Sequence, residues 1–205
     1  MKFFCIFTPN DTISQSLLAR CIRTGLKFGH EITPFKGVSK ELAPSLFIKE
    51  KLNFGFDYLV KKKIAPMRNS QIACFLAHKA LWEVCVNLDK QIVILEHDAY
   101  FVKKFSNTPF DEVLNLQREI WDNPSWKYYA KLQKLVDNNN YNGNAKYLCL
   151  PGAAAYTIKP KAAKKLLMIK SIFPLDLFVN KEVVKIDDHQ FMSTFKVDND
   201  YTTNR

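Results

Sequence analysis

The stretch Ile92-Val93-Ile94-Leu95-Glu96-His97-Asp98-Ala99-Tyr100-Phe101 decides how the chain is read. Four apolar residues run directly into Glu-His-Asp, and the chain then turns apolar again. A short continuous apolar run bounded by polar residues is the pattern of a strand buried on both faces. Such strands occupy the middle of α/β sheets, where ligands bind beyond the carboxyl ends of the strands. Glu96 and Asp98 therefore arrive where a ligand belongs. Residues two apart in an extended segment face the same way, so both carboxylates can address one divalent cation, with His97 turned aside or on the rim. Hard oxygen ligands of this kind suit Mg²⁺ or Mn²⁺, which in turn hold nucleotide phosphates. The same spacing also describes an ordinary strand end with solvated acids, since a Glu-x-Asp triplet is common.

Upstream, Asn69-Ser70-Gln71-Ile72 opens a strong helix, with Ser70 as the expected N-cap. Ile72, Phe75, Leu76, Leu81, Trp82, Val84, Cys85 and Leu88 give it a wide apolar face. His78 sits within that face, where a lone histidine is ordinarily a structural residue. Asp89-Lys90-Gln91 turns the chain into the Ile92 strand. At the start of the chain, residues 2–7 read as a strand and Thr8-Pro9-Asn10-Asp11-Thr12 as a loop. Asp11 or Thr12 can cap a helix over residues 14–28, and Gly29 fits its end. Residues 31–35 read as a second strand. This strand–helix–strand opening implies a parallel pair with a right-handed crossover. The loop after the first strand then lies at the carboxyl edge, beside any nucleotide site.

Between these units, residues 40–68 are rich in lysine and aromatics. The run Lys61-Lys62-Lys63 reads either as a phosphate contact or as a solvated patch. Downstream, residues 102–146 read as an insertion-like region, with a helix expected over 110–121. Trp121, Trp126, Tyr128 and Tyr129 lie among Lys127, Lys131 and Lys134. Such interleaving serves either sugar and base stacking or a small satellite core with snorkelling lysines. Residues 138–144 are a loop by composition. Residues 147–150 and 155–158 read as strands around Pro151-Gly152-Ala153-Ala154-Ala155, whose small side chains permit close backbone approach. Lys159-Pro160-Lys161 starts a further helix. Asp176 is an isolated acid among Phe173, Pro174, Leu175, Leu177 and Phe178. Asp187-Asp188-His189 follows, and residues 198–205 form a polar, loose tail.

The 205 residues, 47% apolar and 13% aromatic, are expected to form one globular domain. No apolar run reaches the ~20 residues of a membrane-spanning helix. The run of residues 3–7 ends at Thr8-Pro9, too soon for a signal peptide, so a cytoplasmic protein is expected. A membrane-surface location, or a host cytoplasm for a viral protein, is compatible. Five scattered cysteines read as small buried hydrophobes, not as a disulfide frame or zinc site. A net charge of +10 favours an anionic partner: nucleotide phosphates, nucleic acid or a membrane surface.

Three segments in order resemble glycosyltransferase family 25, the lipopolysaccharide and collagen sugar transferases. Residues 70–83, with Cys74, His78 and Trp82, resemble the family's G-C-x-L-S-H-x-x-x-W segment. Ile94-Leu95-Glu96-His97-Asp98 resembles its L-E-D-D strand end. Residues 151–167 resemble its G-T-A-G-Y…A-x-x-L-L segment, and Pro174-Leu175-Asp176 its P-x-D. Ala73, Ala77, His97, Ala153 and Ala155 depart from the pattern. The resemblance implies an A-type, Rossmann-like α/β fold with a mostly parallel central sheet flanked by helices. It also implies a metal-dependent, inverting transfer from a nucleotide sugar, a UDP-sugar, to an acceptor hydroxyl. On that basis Glu96, Asp98 and His189 are the candidate metal ligands for Mn²⁺ or Mg²⁺. Thr8, Pro9, Asn10, Asp11, His78, Glu96, Gly152 and Ala153 flank the donor, and Asp176, then Asp188, are the candidate bases. The acceptor is expected to be a saccharide or lipid-linked glycan. The charge and the aromatic–lysine stretch also fit hydroxymethylated DNA as acceptor, and the departures also fit a non-catalytic binding module.

Overall fold

The opening unit folds as its caps dictate. In the computed structural model, β1 (Lys2–Phe7), α1 (Thr12–Lys27) and β2 (Ile32–Lys36) follow in order, with β1 and β2 parallel and Phe3 opposite Ile32. The helix starts at Thr12, two residues before the expected Ser14. The cause is Asp11, whose Oδ1 accepts from the backbone N–H of Ile13 at 2.9 Å and Ser14 at 3.1 Å. Those donors would otherwise lack an intrahelical partner. At the other end the His30 N–H bonds the Gly25 carbonyl and the Gly29 N–H that of Leu26. Gly29 takes φ +78° to allow this closure, a left-handed conformation that costs glycine little. Asp11→Ala is expected to cost about 1 kcal/mol through the lost cap. A urea titration monitored by circular dichroism checks it, and an unchanged midpoint would refute the capping role.

The structure describes residues 1–55, 67–106, 108–116, 149–150, 152–188 and 195–197. The lysine run 61–63, the aromatic–lysine stretch 121–134, the loop 138–144, Pro151, His189 and the tail 198–205 lie outside the described residues, as do residues 147–148.

β4 (Ile92–Glu96) lies inside a six-stranded sheet of order β2-β1-β4-β7-β6-β9, completed by β6 (Val113–Asn115), β7 (Ala155–Ile158) and β9 (Ile186–Asp188). It pairs parallel with β1 and antiparallel with β7. β6 runs against β7 and with β9. Within this sheet β7 therefore opposes the other strands, and the carboxyl ends of the rest share one edge. Ile92 to Leu95 are all fully buried, as a strand covered on both faces requires. Ile92 and Ile94 enter one apolar cluster and Val93 and Leu95 the other. Each fully buried side chain of this size contributes about 1.5–3 kcal/mol before conformational entropy is subtracted.

One face is covered by α2 (Ala43–Lys49), α3 (Asn69–Leu88) and α4 (Pro160–Met168). α1 packs on the other face, where Phe3, Phe101 and Phe105 cluster. Lys79 of α3 draws Glu50, just beyond α2, to 2.9 Å and so ties the two helices together. The N-cap of α3 lies two residues earlier than expected. Arg68, not Ser70, is its N-cap residue, and Gln71 Oε1 accepts from the Arg68 N–H at 2.9 Å.

The helix expected over residues 110–121 is corrected for its described part. Val113–Asn115 is a strand of the central sheet, bonded to both β7 and β9. A consecutive buried run there serves a two-sided strand, and Glu112 anchors it through Lys165 Nζ at 2.7 and 2.9 Å. Part of the expected insertion is thus integral to the sheet. β5 (Ala99–Phe101) pairs with β10 (Phe195–Val197), β3 (Asn53–Phe54) pairs with β8 (Ser171–Ile172), and Cys149 makes a single bridge to Asn180. The described cysteines are all free thiols. No helix among the described residues is long and apolar enough to cross a membrane.

Candidate active site

The shared edge of the sheet gathers the candidate residues because parallel strands deliver their carboxyl ends together. Ile6 lies opposite Glu96, so the turn Thr8-Pro9-Asn10-Asp11 follows directly beside the end of β4. In that turn the Thr8 N–H bonds Ser14 Oγ at 2.8 Å and the Thr8 carbonyl accepts from the Asp11 N–H at 3.2 Å. From the opposed strand β7, the preceding residues reach the same edge. The Glu96 N–H donates to the Ala154 carbonyl at 2.8 Å, which places Gly152 and Ala153 next to the strand end. Gly152 is exposed at φ +70°, and Ala153 is buried at φ +46°, a left-handed conformation that is strained for a residue with a Cβ.

Glu96 is held from below by a hydrogen-bonded chain. The Trp82 indole Nε1–H donates to the Tyr156 hydroxyl at 2.9 Å, and that hydroxyl meets His78 Nδ1 at 2.9 Å. His78 Nε2 reaches Glu96 Oε1 at 3.2 Å, and the Cys74 thiol donates to the same oxygen at 3.3 Å. Trp82, Tyr156 and His78 are fully buried, while the Glu96 side chain keeps 20% of its surface exposed. Burial pushes the Glu96 carboxyl up, but the hydrogen bonds from His78 and the Cys74 thiol, with the two neighbouring imidazoles, outweigh it and hold the group low. Glu96 is thus the ionised member of the site.

Asp176 lies on α5 (Leu175–Phe178), the short turn that follows Pro174. Burial, then the negative charge of Glu96, push its carboxyl up to about 7, against the pull of its own and Leu177's backbone N–H groups. Phe178 of the same turn stacks on Trp82, with centroids 5.8 Å apart and planes 11° apart. The helix that carries His78 therefore also seats the turn that carries Asp176.

The turn after β4 differs from the expected extended geometry. The strand ends at Glu96, and His97 and Asp98 form a turn before β5. The two-residue alternation that would aim Glu96 and Asp98 together does not continue through it. The donor atoms that cluster within 4.8 Å of one another are those of Cys74, His78 and Glu96, and Asp98 is not part of that group. Asp98 is buried, and Arg20 of α1 clamps its carbonyl with an Nη2–H bond of 3.1 Å while lying 4.4 Å over the Tyr100 ring. His97 is held low chiefly by burial, against the charges of Glu96 and Asp11. Asp188 ends β9 at the same edge. Its backbone is three strands from β4, about 14 Å at the usual strand spacing.

The sequence profile described as glycosyltransferase family 25 (LPS biosynthesis protein) matches residues 11–179, which take in every site residue just described except Thr8, Pro9, Asn10 and Asp188. The chain belongs to glycosyltransferase family 25. A Glycosyltransferase 25 family member from Anopheles gambiae is 26% identical over 133 residues, 60% of this chain and 22% of that protein. The apo structure of the WbbM bifunctional glycosyltransferase superposes with a TM-score of 0.52 at 10% identity, over 92% of this chain and 38% of that one. Apo mouse xyloside xylosyltransferase 1 gives 0.50 at 8% identity, over 93% and 84%. The fold is that of the A-type glycosyltransferases. The chain thus spans about a fifth of the curated relative and well under half of the first of these solved structures.

Within this family 25 chain, sequence reasoning missed Cys74, Trp82 and Tyr156 as partners of the site. Cys74 read as a small hydrophobe, yet its thiol, pushed well up by burial, spends its proton on Glu96. The available signal was the i, i+4, i+8 spacing of Cys74, His78 and Trp82, which puts all three on one helix face. Tyr156 carried no comparable signal, because only sheet register brings it opposite Ile94. For His78, the structural reading and the site reading meet. Both ring nitrogens are engaged inside the protein, and one of them engages Glu96.

Proposed function

We propose that this chain transfers a sugar from a nucleotide-sugar donor, a UDP-sugar, to an acceptor hydroxyl with inversion, using a divalent cation. The observation that carries the reading is the split between two neighbouring carboxyls. Glu96 is held low and Asp176 is raised to about 7. Paired carboxyls whose environments drive them apart mark the acid–base division of labour at a catalytic site. Asp176 is the base. It takes the acceptor hydroxyl proton as the oxygen attacks the anomeric carbon and the bond to the nucleoside diphosphate breaks.

The residues present fit a hard cation better than a soft one. Cys74 and His78 aim their protons at Glu96 and so do not offer a thiolate or a free imidazole lone pair on that side. An ionised carboxylate is the group that Mg²⁺ or Mn²⁺ prefers. Glu96 would hold it, and the ligation by Asp98 and His189 expected from the sequence is not carried by the described geometry. When bound, the cation neutralises charge developing on the diphosphate. The turn of Thr8 to Asp11 flanks the nucleoside, and Gly152 and Ala153 let the donor approach the backbone beside Glu96.

The acceptor is a saccharide or lipid-linked glycan. The hydroxymethylated-DNA alternative rested on net charge and on the aromatic–lysine stretch, which lies outside the described residues, and nothing among the described residues of the site favours it. The test is a thermal-shift and hydrolysis screen of nucleotide sugars with and without Mn²⁺. Metal-dependent stabilisation by one UDP-sugar, at about 2.7 kcal/mol when its concentration is 100 times Kd, is expected together with slow UDP release. No response to any donor with any divalent ion would overturn the proposal and leave the binding-module alternative.

A further inference from the structure

We infer that His78 and Tyr156 are positioning residues that set which face Glu96 turns to the metal and donor. This rests on the donor-site reading above and adds the means by which its carboxylate is oriented.

The direction of the hydrogen bonds follows from the chemistry of the two ends. An indole N–H can only donate, so the Tyr156 oxygen accepts from Trp82. The phenol then has one proton to give, and His78 Nδ1 stands 2.9 Å away as its acceptor. A ring nitrogen that accepts leaves the proton on the other, so Nε2–H points at Glu96 Oε1, which as a carboxylate oxygen can only accept. With a neutral imidazole, every proton in the chain has a single consistent place. The His78 and Tyr156 rings lie 10° from parallel, with centroids 5.7 Å apart, so the imidazole is held in plane as well as in tautomer. With Cys74 added, two donors converge on Oε1 from the protein side. The carboxylate's exposed surface is left for the ligand. Outer-shell partners of this kind orient a ligating group and are commonly worth 10–100-fold in metal affinity.

The experiment compares Mn²⁺ affinity in the presence of UDP, read by electron paramagnetic resonance of free Mn²⁺, for the wild type and four variants. Tyr156→Phe removes one oxygen and keeps the ring, and His78→Leu removes the donor to Glu96. Both are expected to weaken Mn²⁺ binding by about 10-fold or more. His78→Gln, whose amide N–H can replace Nε2–H, is expected to stay within about threefold of wild type. Ile158→Val, a fully buried change on the same strand, is expected to lower thermal stability and leave Mn²⁺ affinity unchanged. The ¹⁵N spectrum of His78 is a second readout that needs no variant. An Nε2–H tautomer is expected in the wild type, and an Nδ1–H tautomer would by itself overturn the inference. Wild-type affinity in Tyr156→Phe and His78→Leu would overturn it while leaving the donor site standing. No Mn²⁺ uptake by the wild type would overturn both, and that result is distinct from uptake the variants do not alter.

Discussion

Substituting Asp176 by Asn is expected to lower sugar transfer by about 10²–10⁴-fold, the usual contribution of a positioned general base. The same change is expected to raise thermal stability at alkaline pH. The Asp176 carboxyl titrates near 7 in the folded protein against an ordinary 3.8. Below 3.8 both states carry the proton and the group contributes nothing. Between 3.8 and 7 the unfolded chain gives up the proton while the folded one keeps it, so stability falls as pH rises, by up to about 1.4 kcal/mol per unit. Above 7 the loss is complete. An amide has no proton to lose and escapes this penalty. The melting temperature of Asp176→Asn should exceed wild type by several degrees at pH 8, and the gain should shrink toward pH 5. Wild-type kcat should rise through about pH 7 as the base ionises. Undiminished transfer by the variant would remove Asp176 from the reaction, and an equal stability gain at both pH values would show that its carboxyl is not raised.

Glu96→Gln is the second large effect. The amide oxygen can still accept from His78 and Cys74, so the fold should survive with little change in melting temperature. The charge is gone, however, and with it the hard anionic oxygen offered to the cation. Donor turnover is expected to fall by at least about 10²-fold, and Mn²⁺-dependent stabilisation by UDP should disappear. Glu96→Gln has one further signature. The charge of Glu96 helps raise Asp176, so the rising limb of any residual activity should move to lower pH. Measuring kcat against pH for both proteins checks this. A limb that stays in place would separate the two carboxyls electrostatically, and a variant that still responds to Mn²⁺ and UDP would deny Glu96 the metal role.

Much of this was legible in residue order because it depends on local chemistry. The run Ile92 to Leu95 carries the pattern of a strand covered on both faces, and Asp11 and Gly29 bounded α1 through capping and left-handed closure. Pro160 opened its helix for a similarly local reason, its missing N–H being one the first turn does not use. The ordered segments around Cys74, Glu96, Gly152 and Asp176 indicated the family before any coordinates.

Where several weak local signals competed, long-range pairing decided. Val113–Asn115 became a sheet strand because β7 and β9 offered hydrogen bonds on both sides, a gain invisible in a three-residue window. The turn at His97 and Asp98 replaced the expected alternation, and there Arg20 grips the Asp98 carbonyl from 78 residues away in sequence.

By itself, then, the sequence determined the strand that delivers Glu96, the helix that carries Cys74, His78 and Trp82 on one face, and the isolated acid Asp176. Only the tertiary structure decided which of these groups share a proton chain. Sheet register set Tyr156 against Ile94 and under His78, and the stacking of Phe178 on Trp82 brought Asp176 into the field of Glu96. The physical reason is that ionisation and hydrogen-bond direction depend on burial and on neighbours in space. Neither is a property of spacing along the chain.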